Sequence, residues 1–279
     1  MSERAAIYIG TSGFSFDDWK ATVYPERLPR PQWLIYYEQQ LGFNALEINY
    51  TYYQMPSPRT IDGLLRKTSA DFRFTIKTHR SMTHEIIQQG KIVDNPKAFE
   101  EFREGMRPLM HSGRLGAVLT QFPITFINRP DERDYLAKTI DRLGDLPLVI
   151  EFRNKSWMTP KTFEELAARQ VGHCAVDEPA LPRLLPWVPE VTSDIAYARF
   201  HGRNAEQWFG SSAEDRYNYL YSPAELEELA TRIEDFAERA KMLYVFFNNC
   251  HAGAAARNAR QFKELLINHG LLPAAYRLL

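Results

Sequence analysis

Residues 148–177 read LVIEFRNKSWMTPKTFEELAARQVGHCAVD. Leu148–Arg153 is a short apolar run of strand composition, and His173–Asp177 is a second. Between them Thr159 and Pro160 open a helical pattern that continues to Gln170. The threonine side chain can accept an orphan amide proton of the first turn, and proline at the first helical position has no amide proton to leave unpaired. Strand, helix and strand in about thirty residues make one parallel βαβ unit.

The alternation extends in both directions. Strand patterns occur at Ile7–Ser12, Ala45–Tyr50, Phe72–His79, Gly116–Gln121, Ile195–His201 and Met242–Asn249, which brings the total to eight. Helical patterns lie at Pro31–Leu41, at Pro58–Arg66 behind Ser57, and from Asn95-Pro96 to Met110. Others lie at Pro130–Leu143, from Ser222-Pro223 to Ala240, which reads as the longest helix, and at Ala252–Asn268. The sixth unit is the weak one: Leu181–Pro189 is too rich in proline for a regular helix, so a turn of irregular helix is expected there. Eight units at a mean spacing of roughly 34 residues predict a single α/β domain over residues 1–279, a (β/α)8 TIM-type barrel. No linker, internal repeat or low-complexity stretch divides the chain.

Composition narrows the class. The 279 residues carry 34 Lys+Arg and 35 Asp+Glu, so bulk charge does not favour nucleic acid, although a local basic cleft is compatible with it. Cys174 and Cys250 form no C-x-x-C pair and read as small core residues. The chain opens on a strand without a signal-like apolar region, and no uncharged apolar run is long enough for a membrane span. A soluble cytoplasmic protein without a membrane partner is the expectation.

Side chains alternate across a strand, so polar residues late in barrel strands gather at the C-terminal mouth, where such barrels do chemistry. Glu47 and Asn49 end the second strand pattern, Lys77 and His79 the third, Gln121 the fourth, and Glu151 and Arg153 the fifth. Asp177 ends the sixth, Arg199 and His201 the seventh, and Asn248-Asn249 the eighth, whose inward parity is ambiguous; the first offers Gly10 and Ser12. Glu47, Glu151 and Asp177 balance Lys77, Arg153 and Arg199, so a self-paired interior competes with a functional pocket. Filling a barrel with six ionisable groups rather than Val and Leu is costly, which favours the pocket.

His84-Glu85-Ile86-Ile87-Gln88 misses the zincin pattern because glutamine replaces the second histidine. Gly10-Thr11-Ser12-Gly13 is not a nucleophile elbow, and no Walker A or G-x-G-x-x-G pattern occurs. His201-Gly202-Arg203 would suit an anion through the Gly202 amide and the Arg203 guanidinium, and His251-Ala252-Gly253-Ala254 opens a helix whose small residues leave its positive end approachable. Glu47, Glu151, Asp177, His79 and His201 are conceivable metal ligands, but the cations among them would repel a metal, and neither metal nor cofactor is assigned. Phe14, Phe16, Trp19, Tyr52, Tyr53, Trp157, Trp208, Tyr217 and Tyr219 are candidates for stacking on a ligand ring.

Several stretches share one pattern. They are Ile9-Gly10-Thr11-Ser12-Gly13-Phe14 with Trp19 and Tyr24-Pro25, Glu47-Ile48-Asn49 with Tyr53, Phe72-Arg73-Phe74 with Lys77, and Thr83-His84. Gln121-Phe122-Pro123, Glu151-Phe152-Arg153 with Ser156-Trp157, Phe200-His201-Gly202-Arg203 with Tyr217-Asn218-Tyr219, and Phe247-Asn248-Asn249 with Asn258-Ala259 follow. Nearly end to end the chain resembles the YecE-like proteins grouped as domain of unknown function 72. The resemblance implies a TIM-type barrel and supplies no reaction.

The expected function is therefore an enzyme, an isomerase, lyase or hydrolase, acting on a small phosphorylated or carboxylated molecule. Glu47, Lys77, His79, Glu151, Asp177 and His201 are the catalytic candidates. Ser12, Asn49, Tyr53, Gln121, Arg153, Trp157, Arg199, Arg203, Asn248 and Asn249 are the substrate-binding candidates. A nucleic-acid-binding or nucleic-acid-processing barrel is the alternative, and a non-catalytic barrel docking a protein partner of unspecified identity is the third.

Overall fold

Eight parallel strands are present in a computed structural model that describes residues 5–182, 184–209, 212–273 and 276. They are β1 (Ala6–Thr11), β2 (Ala45–Ile48), β3 (Arg73–Lys77), β4 (Leu115–Gln121), β5 (Leu148–Glu151), β6 (Gly172–Asp177), β7 (Ile195–Phe200) and β8 (Met242–Phe247). From β2 to β8 each strand pairs with the next in sequence, and β1 pairs β8 in parallel from Ala6 beside Met242 to Thr11 beside Phe247. Helices α1 (Trp33–Gln39), α2 (Pro58–Leu65), α3 (Pro96–His111), α4 (Pro130–Leu143), α5 (Pro160–Ala168), α6 (Ala213–Arg216), α7 (Pro223–Ala237) and α8 (Ala254–Asn268) complete a (β/α)8 TIM-type barrel.

Local chemistry sets the helix starts. Ser57, Asn95, Thr159 and Ser222 each accept an amide hydrogen bond from the first turn, with proline as the next residue. Ser222 and Glu225 form a reciprocal capping box. Two details differ from the sequence reading. The longest helix is α3, at 16 residues, not the one that follows Ser222-Pro223. Where a turn of irregular helix is expected after β6, the Leu184 amide donates to the Leu181 carbonyl at 3.0 Å; Arg183 lies outside the described residues. A small antiparallel ribbon, Ile87–Gln88 with Lys91–Ile92, was not foreseen, because two residues per strand are too few to show a period.

The seam between β1 and β2 has its own construction. Their backbones meet through the bridge of Ser12 with Glu47, where the Gly13 amide donates to the Glu47 carbonyl at 3.0 Å. Below that point side chains replace the ladder. The Tyr37 hydroxyl accepts from the Thr11 amide at 2.8 Å and donates to the Ala45 carbonyl at 3.1 Å, while the Asn44 amide serves both the Ile9 N–H and the Ile7 C=O. Buried backbone groups must be satisfied somewhere, and here a tyrosine and an asparagine do it. Gly10 belongs to this seam: a Cβ there would lie 2.0 Å from the Ala45 carbonyl oxygen.

Two apolar layers result. The outer one lies between strands and helices and includes Ile7, Ile9, Leu46, Ile48, Phe74, Ile76, Val118, Ile150 and Phe152. The inner one fills the barrel with Ala45, Ala117, Leu119, Val149, Cys174, Val176, Tyr197, Tyr244 and Phe246. Tyr244 and Phe246 settle the parity of β8: Asn248 continues the inward set, and Asn249 the outward one.

Tyr37→Phe is expected to lose about 1–3 kcal/mol, since it strands the Thr11 amide and the Ala45 carbonyl in the interior. Gly10→Ala is expected to cost at least as much through overpacking of the seam. Urea denaturation of the two variants against wild type measures both.

Candidate active site

Above the apolar filling, the inward positions become charged. Arg199 from β7 crosses the barrel and is 1% exposed. Its Nε and Nη2 donate to Glu47 of β2 at 3.0 and 2.7 Å, and its Nη1 donates to Glu151 of β5 at 2.7 Å. Tyr197, one layer down, donates its hydroxyl to Glu47 at 2.8 Å, and Arg199 also reaches the Ser12 hydroxyl at 3.4 Å. Burial alone pushes the Glu151 carboxyl up, but Arg153 and Arg199 together outweigh it and hold it well below the usual carboxylate range.

Arg153 extends the chain of charge. Its Nε lies 2.5 Å from Glu151 Oε1, its Nη1 donates to Glu178 at 2.8 Å, and its Nη2 donates to His201 Nε2 at 2.9 Å. A guanidinium can only donate, so His201 accepts at Nε2 and carries its proton on Nδ1. Asn248 Nδ2 is the atom placed 2.9 Å from Nδ1, and a flip of that amide would bring its oxygen there as the acceptor. Burial, then the positive Arg153, drives the His201 pKa well below the ordinary histidine value, so this ring is neutral.

Lys77 differs from its cationic neighbours. It ends β3, is 8% exposed, and donates to the Gln121 side-chain carbonyl at 2.8 Å. The Tyr52 ring centroid lies 4.5 Å from Nζ. Among the described residues no carboxylate makes an ion pair with it. Burial, reinforced by Arg199, pulls its ammonium pKa down to about 7. The Gln121 amide nitrogen lies 3.4 Å from His84 Nε2, and burial followed by the charge of Lys77 pushes His84 down to about 3.

Beside this cluster opens a cleft of about 610 Å3. Its floor is Ser12, Glu47 and Asn248, and its walls include Phe14, Phe16, Tyr50, Tyr53 and Tyr217. Asn49 lines it with a buried side-chain oxygen that has no hydrogen-bond partner. Asp17 and Asp18 stand at the cleft, and Asp18 accepts from the Ala252 amide at 2.6 Å. That bond already occupies part of the positive end proposed for the segment 251–254. Cys250 also lines the cleft and is half-buried, so it is not a plain core residue, whereas Cys174 is buried.

The mouth thus brings together Ser12, Glu47, Asn49, Lys77, Gln121, Glu151, Arg153, Arg199, His201 and Asn248, with Tyr53 exposed at the rim. Five expected members lie elsewhere. Asp177 has the outward parity of β6 and binds Arg203 at 2.8 Å and the Tyr221 hydroxyl at 2.7 Å, against α7. The carboxylate that completes the mouth is instead Glu178, two residues beyond inward-facing Val176. Arg203 is neutralised by Asp177 and Glu228, and the Gly202 amide donates to Tyr221 at 2.9 Å, so the foreseen anion cradle is filled by the protein itself. Trp157 is buried, stacked on Phe152 and Phe126, with its indole N–H on the Phe126 carbonyl at 2.9 Å. Asn249 faces outward to Asn258 at 2.9 Å. His79 caps the turn at Arg80–Met82 by accepting from the Ser81 amide at 3.2 Å.

With Asp177 and His79 elsewhere, the five conceivable metal ligands do not converge, and among the described residues no group of three or more His, Cys, Asp or Glu is arranged to hold a metal ion. His84 and Glu178 are the members that sequence reading left out of the site. Inward parity counted from Val176 would have signalled Glu178, while His84 sits on an irregular loop where no period exists.

Comparison with known proteins places the chain in a family. The model described as "Protein of unknown function DUF72" matches residues 8–276. The chain belongs to the DUF72 family. UPF0759 protein YunF of Bacillus subtilis (strain 168) is 31% identical over 273 residues, covering 93% of this chain and 94% of that protein. A DUF72 family protein from Thermotoga maritima MSB8 has a crystal structure that is similar with a TM-score of 0.86 and 46% identity, over 94% of this chain and 99% of that one. One from Enterococcus faecalis V583 is similar with a TM-score of 0.81 and 30% identity, over 94% and 96%. Among the described residues of this DUF72 chain, no helix is long and apolar enough to cross a membrane.

Glu151→Gln is expected to destabilise the fold by about 3–5 kcal/mol, because Arg199 and Arg153 keep their burial and lose a shared counter-charge. Combined with Glu47→Gln the loss should be non-additive, since both carboxylates act on one guanidinium. A double-mutant cycle in urea reads the coupling.

Proposed function

We propose that this protein is an enzyme that transfers protons on a small anionic substrate, a carboxylate or phosphate, held at the C-terminal mouth of the barrel. The observation that carries this reading is the isolation of Lys77. Arg153, Arg199 and Arg203 are each committed to internal carboxylates, whereas Lys77 has a neutral partner in Gln121. An anion entering the mouth therefore finds its free counter-charge at Lys77. The group that binds it is also able to release or accept a proton near neutral pH, where acid–base catalysis is most effective. Glu47 and Glu151 act through Arg199 as positioning residues, and His201 is locked between Arg153 and Asn248. Tyr217 and the aromatic wall of the cleft receive the apolar part of the substrate, in a volume suited to a small molecule.

The same geometry argues against a nucleic-acid backbone as the ligand. Successive phosphates need several unpaired cations along a track, and the arginines here are neutralised while Asp17 and Asp18 line the cleft.

A thermal-shift titration with malonate, phosphate and a short oligonucleotide tests the reading. Stabilisation by malonate or phosphate is expected at pH 6 and absent in Lys77→Met. It should weaken by about tenfold in affinity per pH unit above pH 7, because only the protonated lysine holds the anion. Stabilisation by neither anion, or an equal shift in Lys77→Met, would overturn it.

The ligand-free protein provides a second check. A lysine whose folded pKa lies below its unfolded value destabilises the fold while it is protonated, and that cost is relieved as pH rises from about 7 toward 10.5. Lys77→Met is accordingly expected to be more stable than wild type at pH 6, by about 1–3 kcal/mol, with the difference shrinking at pH 10.

A further inference from the structure

A lysine able to exchange its proton near neutral pH is also a nucleophile once unprotonated, and the surroundings of Lys77 suit both uses. The Nζ atom is anchored by one hydrogen bond donated to Gln121 Oε1 at 2.8 Å, and it faces the Tyr52 ring at 4.5 Å. A single donated bond fixes the amine while leaving its lone pair uncommitted. The carboxylates that would otherwise quench it, Glu47 and Glu151, are turned toward Arg199. Desolvation is the main influence that disfavours protonation; Arg199 and, more weakly, Arg153 add to it, while Glu151 and Glu47 oppose it in part. Burial, a neutral anchor and nearby cations are the conditions under which a lysine side chain becomes a nucleophile. Lys77 keeps 8% exposure at the end of β3, beside the cleft rather than in its lining.

We propose that Lys77 forms a Schiff base with a small aldehyde or ketone bound at the barrel mouth, and that 2-oxo acids are the substrate class. This rests on the proton-transfer reading above, since a 2-oxo acid joins a carbonyl to the anionic group assigned there. The lone pair of Nζ forms a C–N bond to the carbonyl carbon as the C=O π pair moves onto oxygen. The two protons lost by the amine end on that oxygen, which leaves as water, so the imine forms with no external oxidant or reductant. Protonation of the imine nitrogen then restores the positive charge beside the substrate carboxylate. Hydrolysis returns the free lysine by the same steps in reverse. Neutral His84, positioned at Gln121 3.4 Å away, is a polar neighbour that adds no charge to the amine.

Reductive trapping tests this. The intact protein is incubated with pyruvate, glyoxylate or glycolaldehyde and sodium borohydride at pH 7.5, digested, and mapped by mass spectrometry. The expected result is a reduced adduct on the peptide containing Lys77, formed roughly tenfold or more faster than on any surface lysine, whose amine is almost wholly protonated at that pH. Malonate, which has no aldehyde or ketone carbonyl to condense with the amine, should slow the labelling. Absence of preferential labelling at Lys77 with all three probes would overturn the Schiff base. If malonate still stabilises wild type and not Lys77→Met, the proton-transfer reading survives that failure; if malonate has no effect either, both fall. The map is made on wild-type protein, so the outcome does not depend on any variant folding.

Discussion

Arg199 lies between Glu47 and Glu151 across the inside of the barrel, and most of the mouth is arranged around that contact. A guanidinium with almost no solvent exposure is tolerable only when its donors are satisfied by opposite charge at close range. The two carboxylates come from β2 and β5, so the interaction ties together strands far apart in the sheet order. It also consumes the charge of both acids. What remains for chemistry is decided by what Arg199 has already taken.

That constraint explains why the most basic side chains of the mouth are poor candidates for holding a ligand. Arg153 follows the same logic, bound to Glu151, Glu178 and His201, and Arg203 does so outside the barrel with Asp177. Lys77 is the exception because its anchor is an amide. Arginine suits fixed multidentate pairing, whereas a buried lysine can change its protonation state within the physiological range. The division between a rigid charged frame and one adaptable amine is the physical basis for assigning reactivity to β3.

How far the site could be read in advance depended on parity. Glu47, Lys77, Glu151 and Arg199 lie within regular strands, where alternation is reliable, and the barrel brings them together as that alternation implies. Errors begin where the strands end. Asp177 and Glu178 are adjacent acids after β6, and one residue of offset sends the first toward α7 and the second into the mouth. Asn248 and Asn249 divide in the same way. Trp157, an aromatic candidate for stacking on a ligand ring, lies instead in the outer aromatic stack, where the turn at Lys155–Trp157 carries its ring. His79 stops following strand alternation because the chain leaves β3 at Lys77 and the histidine caps a turn.

Local chemistry, by itself, determined the succession of elements: apolar strand runs, capping side chains followed by proline, and the count of eight units that closes a barrel. It also determined that charge would collect at the strand ends. Which charges cancel and which one stays available was decided only by the tertiary structure. Pairing of buried ions depends on distances between residues about 50 to 150 positions apart, such as Arg199 with Glu151 and with Glu47, and no period within a strand encodes them.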